Sequence, residues 1–144
     1  METQNYANHR RYVPMYHGVL FLLLFAAFVG SFVNLYVCLG EHQGVYSASL
    51  ITVLTICGLI QSWYSRAFAT KVQDRAIRAE ENLRHFAITG KLFDTRLTMG
   101  QIIALRFASD EEFLSLAKRA AEEKLSREDV KKAIKTWRAD HFRA

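Results

Sequence analysis

Formal charge is nearly absent from one long stretch of this 144-residue sequence. Between His17 and Ser65 the only charged side chain is Glu41, whereas 17 of the 19 lysines and arginines follow Ser65. A single globular core would mix apolar and charged residues along the whole chain, so this distribution argues against one. It predicts a membrane-embedded part in residues 1–66 and a cytoplasmic helical domain in residues 67–144.

Two uncharged apolar runs, residues 18–39 and 45–65, fill the charge-poor stretch. A hydrocarbon core about 30 Å thick is crossed by roughly 20 helical residues, so each run predicts one transmembrane helix. The connecting segment GEHQG has a glycine at each end, which suits a tight turn. The sequence therefore predicts an all-α protein with a two-helix transmembrane hairpin, a cytoplasmic stalk helix and a small three-helix unit.

Cysteine and proline are also scarce. The two cysteines, Cys38 and Cys57, would differ in depth by roughly 15 Å across such a hairpin, given the 1.5 Å rise of a helix, and cannot form a disulfide. They also offer too few ligands for a metal site. The one proline, Pro14, precedes the first span, where a helix tolerates its missing N–H. We therefore expect neither a disulfide nor a metal centre.

Basic residues flank the two spans on one side only. Arg10 and Arg11 precede the first span, the turn contains no lysine or arginine, and Arg66 follows the second span. Under the positive-inside rule, both termini face the cytoplasm and the turn faces outside. The expected location is the inner membrane, which the chain would cross twice.

Aromatic and basic residues form a collar at the cytoplasmic ends of the predicted spans. Tyrosine and tryptophan favour the headgroup layer, and arginine favours anionic lipid of the inner leaflet. The predicted membrane-interface residues are Arg10, Arg11, Tyr12, Tyr16, Trp63, Tyr64 and Arg66. The Arg10-Arg11 pair lacks the context of a twin-arginine export signal, and the apolar run is too long for the core of a signal peptide.

His17, at the edge of the first span, raises the alternative of a haem or chlorophyll ligand. A bis-histidine haem needs a second histidine at matching depth, and the second span contains none. We therefore expect no cofactor. Whether His17 touches a pigment or haem that a partner holds is a question that the sequence leaves open.

Small residues recur at helical spacing within both spans. Such residues let membrane helices approach closely, since hydrophobicity alone cannot drive helices together in lipid. The two stripes either pack the hairpin against itself or dock one face on a larger membrane partner. Their members are Ala26, Gly30 and Asn34 in the first span, and Thr55, Gly58 and Ser62 in the second.

The cytoplasmic part begins with a stalk helix that continues the second span, and three short helices follow it. We expect the stalk to bury one apolar stripe, consisting of Val72, Ala76 or Ile77, Ala79, Leu83 and Phe86. The three short helices are predicted by capping-box patterns that begin at Thr98, Ser109 and Ser126.

The last of these helices is predicted to carry an apolar and a basic face. The apolar face consists of Val130, Ala133, Ile134 and Trp137, and the basic face of Lys131, Lys135 and Arg138. The basic face is either a nucleic-acid surface, a lipid-contacting surface or simply solvated. The acidic residues crowded on the preceding helix disfavour nucleic acid.

Four segments resemble one family of short bacterial membrane proteins to which no activity is assigned. They are NHRRYVPMYH, KVQDRAIRAEENLR, QIIALRFASDEEF and DVKKAIKTWRADHFRA, and together they extend the resemblance over essentially the whole chain. The resemblance implies a bacterial inner-membrane protein with this layout. It implies no activity, and no functional residue follows from it.

Catalytic signals are weak throughout the sequence. We find no arrangement of nucleophile and base, no glycine-rich phosphate loop and no cysteine or histidine cluster with metal-ligand spacing. We therefore expect a non-enzymatic accessory subunit in contact with the lipid bilayer and a larger membrane protein complex, with no small-molecule substrate. The alternative is a membrane-tethered regulator whose cytoplasmic domain binds anionic lipid, nucleic acid or a soluble protein.

The predicted orientation can be tested by labelling single cysteines in intact cells. In a chain that lacks Cys38 and Cys57, a membrane-impermeant thiol reagent should label Gln43→Cys, which lies in the outside turn. The same reagent should not label Arg96→Cys until the cells are opened. The reverse pattern would contradict the orientation and the cytoplasmic placement of the helical domain.

Overall fold

The computed structural model describes residues 4–9 and 12–140, which form an all-helical protein, as the sequence predicts. A π-helical segment, Met15–Leu20, leads directly into the first α-helix. The α-helices are α1 Phe21–Glu41, α2 Val45–Thr89, α3 Met99–Leu105, α4 Asp110–Glu122 and α5 Arg127–Ala133. The chain divides into a hairpin unit, Tyr12–Phe68, and a helical unit, which comprises the described residues of Met1–Arg11 and Ala69–Ala144.

Two antiparallel helices make up the hairpin unit. α1 ends at Glu41, and the chain reverses through His42 and Gly44, whose left-handed backbones have φ of 54° and 67°. The first part of α2 then returns beside α1, so that the Thr52 hydroxyl donates to the carbonyl oxygen of Ser31 at 3.3 Å. This pairing is the helical hairpin that the sequence predicts.

The helices of the hairpin are long and apolar enough to cross a membrane, in the ranges Met15–Glu41 and Val45–Thr89. Only 6% and 11% of the residues in their most apolar windows are buried within the chain. A core helix of a soluble protein would bury most of such a window. The packing among the described residues therefore leaves the apolar surface of both helices uncovered.

The second span continues into the stalk without a break, because α2 is one helix from Val45 to Thr89. No proline occurs after Pro14 to interrupt it. α2 ends where Gly90 takes a left-handed conformation with φ of 71°, the usual role of a glycine after a helix. This confirms the predicted continuous stalk.

The core of the helical unit lies among α3, α4 and α5. Its largest fully buried side chains are Leu105, Phe107, Phe113 and Val130. α4 contributes an inner face at three- and four-residue spacing, which consists of Phe113, Leu116, Ala117, Ala120 and Ala121. α3 and α5 have seven residues each, too few to be stable alone, so this shared core is what keeps them helical.

Two of the three predicted capping patterns are confirmed. Thr98 and Gln101 form a reciprocal capping box at the start of α3, and the Ser126 hydroxyl accepts from the Asp129 amide at 3.1 Å. The pattern at Ser109 and Glu112 is not a capping box, since the Ser109 side chain forms no cap hydrogen bond. The Glu112 carboxylate instead accepts hydrogen bonds from a partner that is distant in the sequence.

That partner is the segment after α5. Its contacts show that the predicted last helix is shorter than expected. α5 ends at Ala133 rather than continuing to Trp137. The amides of Lys135 and Thr136 donate to the two oxygens of Glu112, at 3.1 and 3.0 Å. The backbone then pairs with the start of α4, where the Ser109 amide donates to the Thr136 carbonyl oxygen at 3.1 Å. Amides satisfied in this way are not available to prolong the helix.

The buried side of the stalk also differs from the predicted one. Val72, Leu83 and Phe86 of the predicted stripe are 68%, 67% and 50% exposed, and its two alanines are exposed as well. The buried residues on this part of α2 are Ile77 and Glu81. Ile77, the predicted alternative to Ala76, is thus buried. The other members were wrongly predicted, because the helical unit packs against a face of α2 that carries charge.

The N-terminal strap, residues 4–9, belongs to the helical unit, whereas the sequence assigns residues 1–66 to the membrane part. Gln4 Nε2 donates to the carbonyl oxygen of Asp140 at 3.1 Å, and the Asp140 amide donates to Gln4 Oε1 at 2.8 Å. The Tyr6 hydroxyl donates to the carboxylate of Glu128 at 3.1 Å. These partners are more than 120 residues apart, so local patterns could not reveal them.

An aromatic cluster joins the strap to the segment after α5. The His9 ring is buried, and its centroid lies 5.8 Å from those of both Phe107 and Trp137. The Phe107 and Trp137 rings are 5.1 Å apart. Ile134 is buried in the same core, which Trp137 partly covers. Ile134 and Trp137 therefore meet the same core, although not from one helix face.

Removal of the Trp137 ring should destabilise the helical unit. Because Trp137 is only partly buried, we expect Trp137→Ala to lower the free energy of unfolding by roughly 3 kcal/mol, the lower end of the range for aromatic truncation. Chemical unfolding of the full chain in detergent, followed by circular dichroism, measures the change. Lys135→Ala, an exposed neighbour, should cost much less. Equal effects of the two variants would show that the aromatic cluster does not stabilise the unit.

Candidate functional site

The predicted collar lies at the end of the hairpin where the π-helical segment before α1 contacts α2 at Ser62. The Tyr16 hydroxyl donates to the carbonyl oxygen of Ser62, and the Ser62 hydroxyl donates to the Tyr16 oxygen at 3.4 Å. The rings of Tyr12, Trp63 and Tyr64 are 63%, 76% and 50% exposed. Such rings suit the boundary between headgroups and hydrocarbon. Arg10 and Arg11 lie outside the described residues.

His17 is held by its own turn of helix. Its Nδ1 lies 3.1 Å from both the amide nitrogen and the carbonyl oxygen of Val13, and its tautomer decides which of them it bonds. The ring stacks on Tyr12 at 5.0 Å and meets Tyr16 edge-on at 5.3 Å. One nitrogen of the His17 ring therefore bonds within its own turn of helix, and the ring contacts two tyrosine rings.

A groove of about 560 Å³ opens beside this collar. Its lining is mostly apolar with one guanidinium, and consists of Tyr16, His17, Phe21, Leu59, Ser62, Trp63, Arg66 and Ala67. A wall of this composition matches an amphipathic lipid with an acyl chain and an anionic headgroup better than it matches a polar substrate. The predicted interface residue Arg66 thus supplies the guanidinium that lines this groove.

The second-span stripe faces α1. The hydroxyls of Ser31 and Thr55 are 3.1 Å apart, and Ser31 Oγ also donates to the carbonyl oxygen of Phe28 at 2.7 Å. A Cβ atom added to Gly58 would lie 3.3 Å from Leu24, closer than most such contacts. Together with Ser62 beside Tyr16, the stripe of Thr55, Gly58 and Ser62 packs the hairpin against itself.

The first-span stripe faces away from α2. Ala26, Gly30 and Asn34 are all exposed, and nothing lies within 4 Å of a Cβ atom added to Gly30. Among the described residues, the contact of the Asn34 carboxamide is the Cys38 thiol at 3.9 Å, on the same helix. The buried residue of α1 is Ser31, whose hydroxyl lies 3.1 Å from that of Thr55 on α2. The first-span stripe therefore does not pack against α2 in the described hairpin.

A charged bracket in the helical unit, which consists of Glu81, Arg84 and Asp110, has no counterpart among the predicted sites. The Arg84 guanidinium donates to the Asp110 carboxylate at 2.6 and 2.8 Å, to Glu81 at 3.1 Å and to the carbonyl oxygen of Ala108 at 2.8 Å. It also lies 4.0 Å above the ring of Phe113. The bracket fastens α2 to the start of α4.

The pKa values of the two carboxyl groups in the bracket are shifted in opposite directions. Burial raises the pKa of Glu81, although the hydrogen bond from Arg84 opposes the rise. The hydrogen bond from Arg84 lowers the pKa of Asp110. Asp110 therefore contributes stability that is lost as the pH falls through its folded pKa. Protonated Glu81 contributes stability that is present below its ordinary pKa and is lost as the pH rises through its folded pKa. These shifts accompany the contact that fastens α2 to the start of α4.

The predicted basic face does not form, because α5 ends before two of its three members. Lys131 is buried on α5, and its Nζ donates to Glu128 at 2.8 Å. Lys135 and Arg138 lie beyond the helix end. Lys131, Lys135 and Arg138 therefore do not form the basic helix face that was considered for binding nucleic acid or lipid.

Metal ligands are not brought together in the part of the chain that the structure describes, where no three histidine, cysteine, aspartate or glutamate side chains group as a metal site. Cys38 and Cys57 are free.

Comparison with known proteins identifies one family. A model described as a family of unknown function (DUF6526) matches residues 1–144. No curated protein matches the chain, and no solved structure does. The comparisons therefore agree with the resemblance seen in the sequence and assign no activity.

The two glycines should differ in their effect on the hairpin. Gly58→Leu places a side chain against Leu24, so we expect it to destabilise the hairpin by about 1–3 kcal/mol, as overpacking does. Gly30→Leu enters open space and should leave the hairpin as stable as before. Unfolding of the full chain in mixed micelles, monitored by the fluorescence of Trp63 in a Trp137→Phe background, separates the two. Equal losses would show that α1 packs through the Gly30 face.

Proposed function

The chain belongs to a family of unknown function, DUF6526, and from that premise we propose that it is a non-enzymatic accessory subunit of a larger complex in the bacterial inner membrane. The hairpin unit anchors the chain, and the exposed face of α1 docks on a transmembrane helix of the partner. The helical unit lies on the cytoplasmic side, where it braces the assembly.

The composition of the hairpin supports its placement in a membrane. Two helices with apolar residues around most of their surface, and with little of that surface buried, need an apolar environment. A helix satisfies its own backbone hydrogen bonds, as a bilayer requires. The lysines and arginines on the flanks, with none in the turn, support two cytoplasmic termini.

The observation that carries the docking proposal is the exposed stripe of Ala26, Gly30 and Asn34. Its small residues would let another helix approach closely. An asparagine side chain that faces hydrocarbon is costly unless it finds a hydrogen-bond partner. A thiol at 3.9 Å satisfies the Asn34 carboxamide poorly, so a helix that supplies a donor or acceptor beside Gly30 would be bound preferentially.

The absence of an enzymatic role is supported by the use of the charged side chains that the fold brings together. Arg84 is surrounded by Glu81, Asp110 and a backbone carbonyl, and its bonds beyond α2 fasten that helix to Ala108 and to the start of α4. Glu112 likewise caps two amides of the segment after α5. Groups that are engaged in this way support a structural role for the unit.

Co-purification tests the proposal. The chain should be extracted from its native membrane in mild detergent with at least one other membrane protein. Gly30→Leu and Asn34→Leu should each reduce the recovery of that protein roughly tenfold or more, as the loss of one close contact worth about 1.4 kcal/mol predicts. Mass spectrometry of the purified complex measures the recovery.

The matched control is Val29→Leu, an enlargement of the neighbouring exposed residue on another side of α1. It should leave the recovery unchanged. Purification of the wild-type chain without any other membrane protein would contradict the subunit role. Capture of a soluble or anionic partner that is released by salt would favour the tethered regulator instead.

A further inference from the structure

The cytoplasmic part of α2 carries an apolar seam that no described part of the chain covers. Its members are separated alternately by three and four residues, and they are Ala69, Val72, Ala76, Ala79, Leu83 and Phe86. All six are exposed, which for Val72 and Leu83 means more than two thirds of the side-chain surface. Strict alternation of three and four is the spacing of the a and d positions in a coiled coil. We call these six residues the stalk seam.

The helical unit does not compete for the stalk seam. At 3.6 residues per turn, successive residues are about 100° apart around a helix, so Glu81 lies on roughly the opposite side of α2 from the seam and Ile77 lies about 100° from its seam neighbour Ala76. Those are the residues that α2 buries within the helical unit. The seam is therefore free for a second helix while the unit keeps its own packing.

The charges beside the seam indicate which helix fits. With Ala69 and Ala76 at a, Arg75 occupies a g position and Glu80 the following e position. In a parallel pair, g of one helix meets the next e of the other, so two copies of this chain would form two Arg75–Glu80 pairs. An antiparallel pair would place g against g and e against e. Both side chains are exposed, and neither forms an ion pair within the described residues.

We propose that the stalk seam is a dimer interface, in which the α2 helices of two copies form a short parallel coiled coil. The proposal rests on the membrane anchorage under the proposed function, because two hairpins inserted in the same direction hold their α2 helices parallel and in register. The seam covers about two and a half heptads, fewer than the three or four that usually define a coiled coil. Confinement to one membrane raises the effective concentration and compensates for that short length.

The residues of the seam fit this arrangement in size. Three of the six are alanines, which let two helix axes approach closely, towards the lower end of the usual 8–10 Å. The larger Leu83 and Phe86 come at the end of the seam that precedes Gly90, and both are at least 50% exposed in the single chain. Their burial against a second copy would supply most of the apolar contact.

Disulfide crosslinking in membrane vesicles tests the interface. In a full-length chain without Cys38 and Cys57, Val72→Cys and Ala79→Cys should each form a crosslinked dimer on mild oxidation, because facing d positions come within reach of a disulfide. Arg78→Cys is the matched control, since it is exposed and adjacent to the seam but points elsewhere. It should crosslink several-fold less.

The charges provide a second readout of the parallel arrangement. Arg75→Glu should reduce the Val72→Cys crosslink roughly two- to tenfold, because two exposed ion pairs become repulsive. The double variant Arg75→Glu with Glu80→Arg should restore it. Failure of the double variant to restore the crosslink would overturn the parallel register.

Four other outcomes would also overturn the proposal. Equal crosslinking at Val72→Cys and Arg78→Cys would indicate random collision. A crosslinked product of another mass would indicate that a different protein covers the seam. A chain that stays in the membrane fraction after alkaline extraction but forms no dimer would refute the coiled coil alone. A chain that leaves the membrane fraction would refute the proposed anchorage, and with it the parallel arrangement.

Discussion

The uncovered apolar surface of the hairpin unit is the constraint on which the rest of the molecule depends. α1 and the first part of α2 meet along a narrow line of contact, and most of their leucine, valine, isoleucine and phenylalanine side chains remain exposed. Surface of this kind is unfavourable in water and favourable in hydrocarbon. The few polar side chains along the line of contact, Ser31, Thr52 and Thr55, each donate to a backbone carbonyl. Hydroxyls satisfied in this way can be buried without a large desolvation cost.

The helical unit is stabilised by a different means. Two of its three short helices have only seven residues each, and its core is small. Long-range hydrogen bonds from side chains to backbone support that core: Gln101 Nε2 donates to the carbonyls of Ala120 and Leu125 at 3.0 and 2.8 Å, and Glu112 accepts from two amides after α5. Each of these bonds joins the end of one element to another. The unit is therefore held at its helix ends as much as by its apolar centre.

Charge has a structural use in the helical unit that composition alone does not suggest. Arg84 and Glu81 are close to fully buried, yet both lie on α2, the helix whose opposite side shows the more apolar residues. The bonds of Arg84 to Asp110 of α4 and to the Ala108 carbonyl hold this face of α2 against the start of α4. As a result, the apolar side of the stalk is left exposed. A buried ion pair at this place thus selects which face of the helix is available to a partner.

The amino-acid sequence by itself determined the all-helical class, the two apolar helices, the turn between them, the unbroken stalk and the caps at Thr98 and Ser126. These features depend on hydrogen bonds and side-chain spacing within about four residues, which a sequence displays directly. Only the tertiary structure decided which stripe of α1 faces α2, which side of the stalk is buried, where α5 ends and where residues 4–9 pack. Each of these depends on a partner at least twenty residues away: Thr55 for Ser31, Asp110 for Arg84, Glu112 for Lys135 and Asp140 for Gln4. An apolar stripe shows that a surface can be buried, but the contacts of the fold decide whether the chain itself buries it.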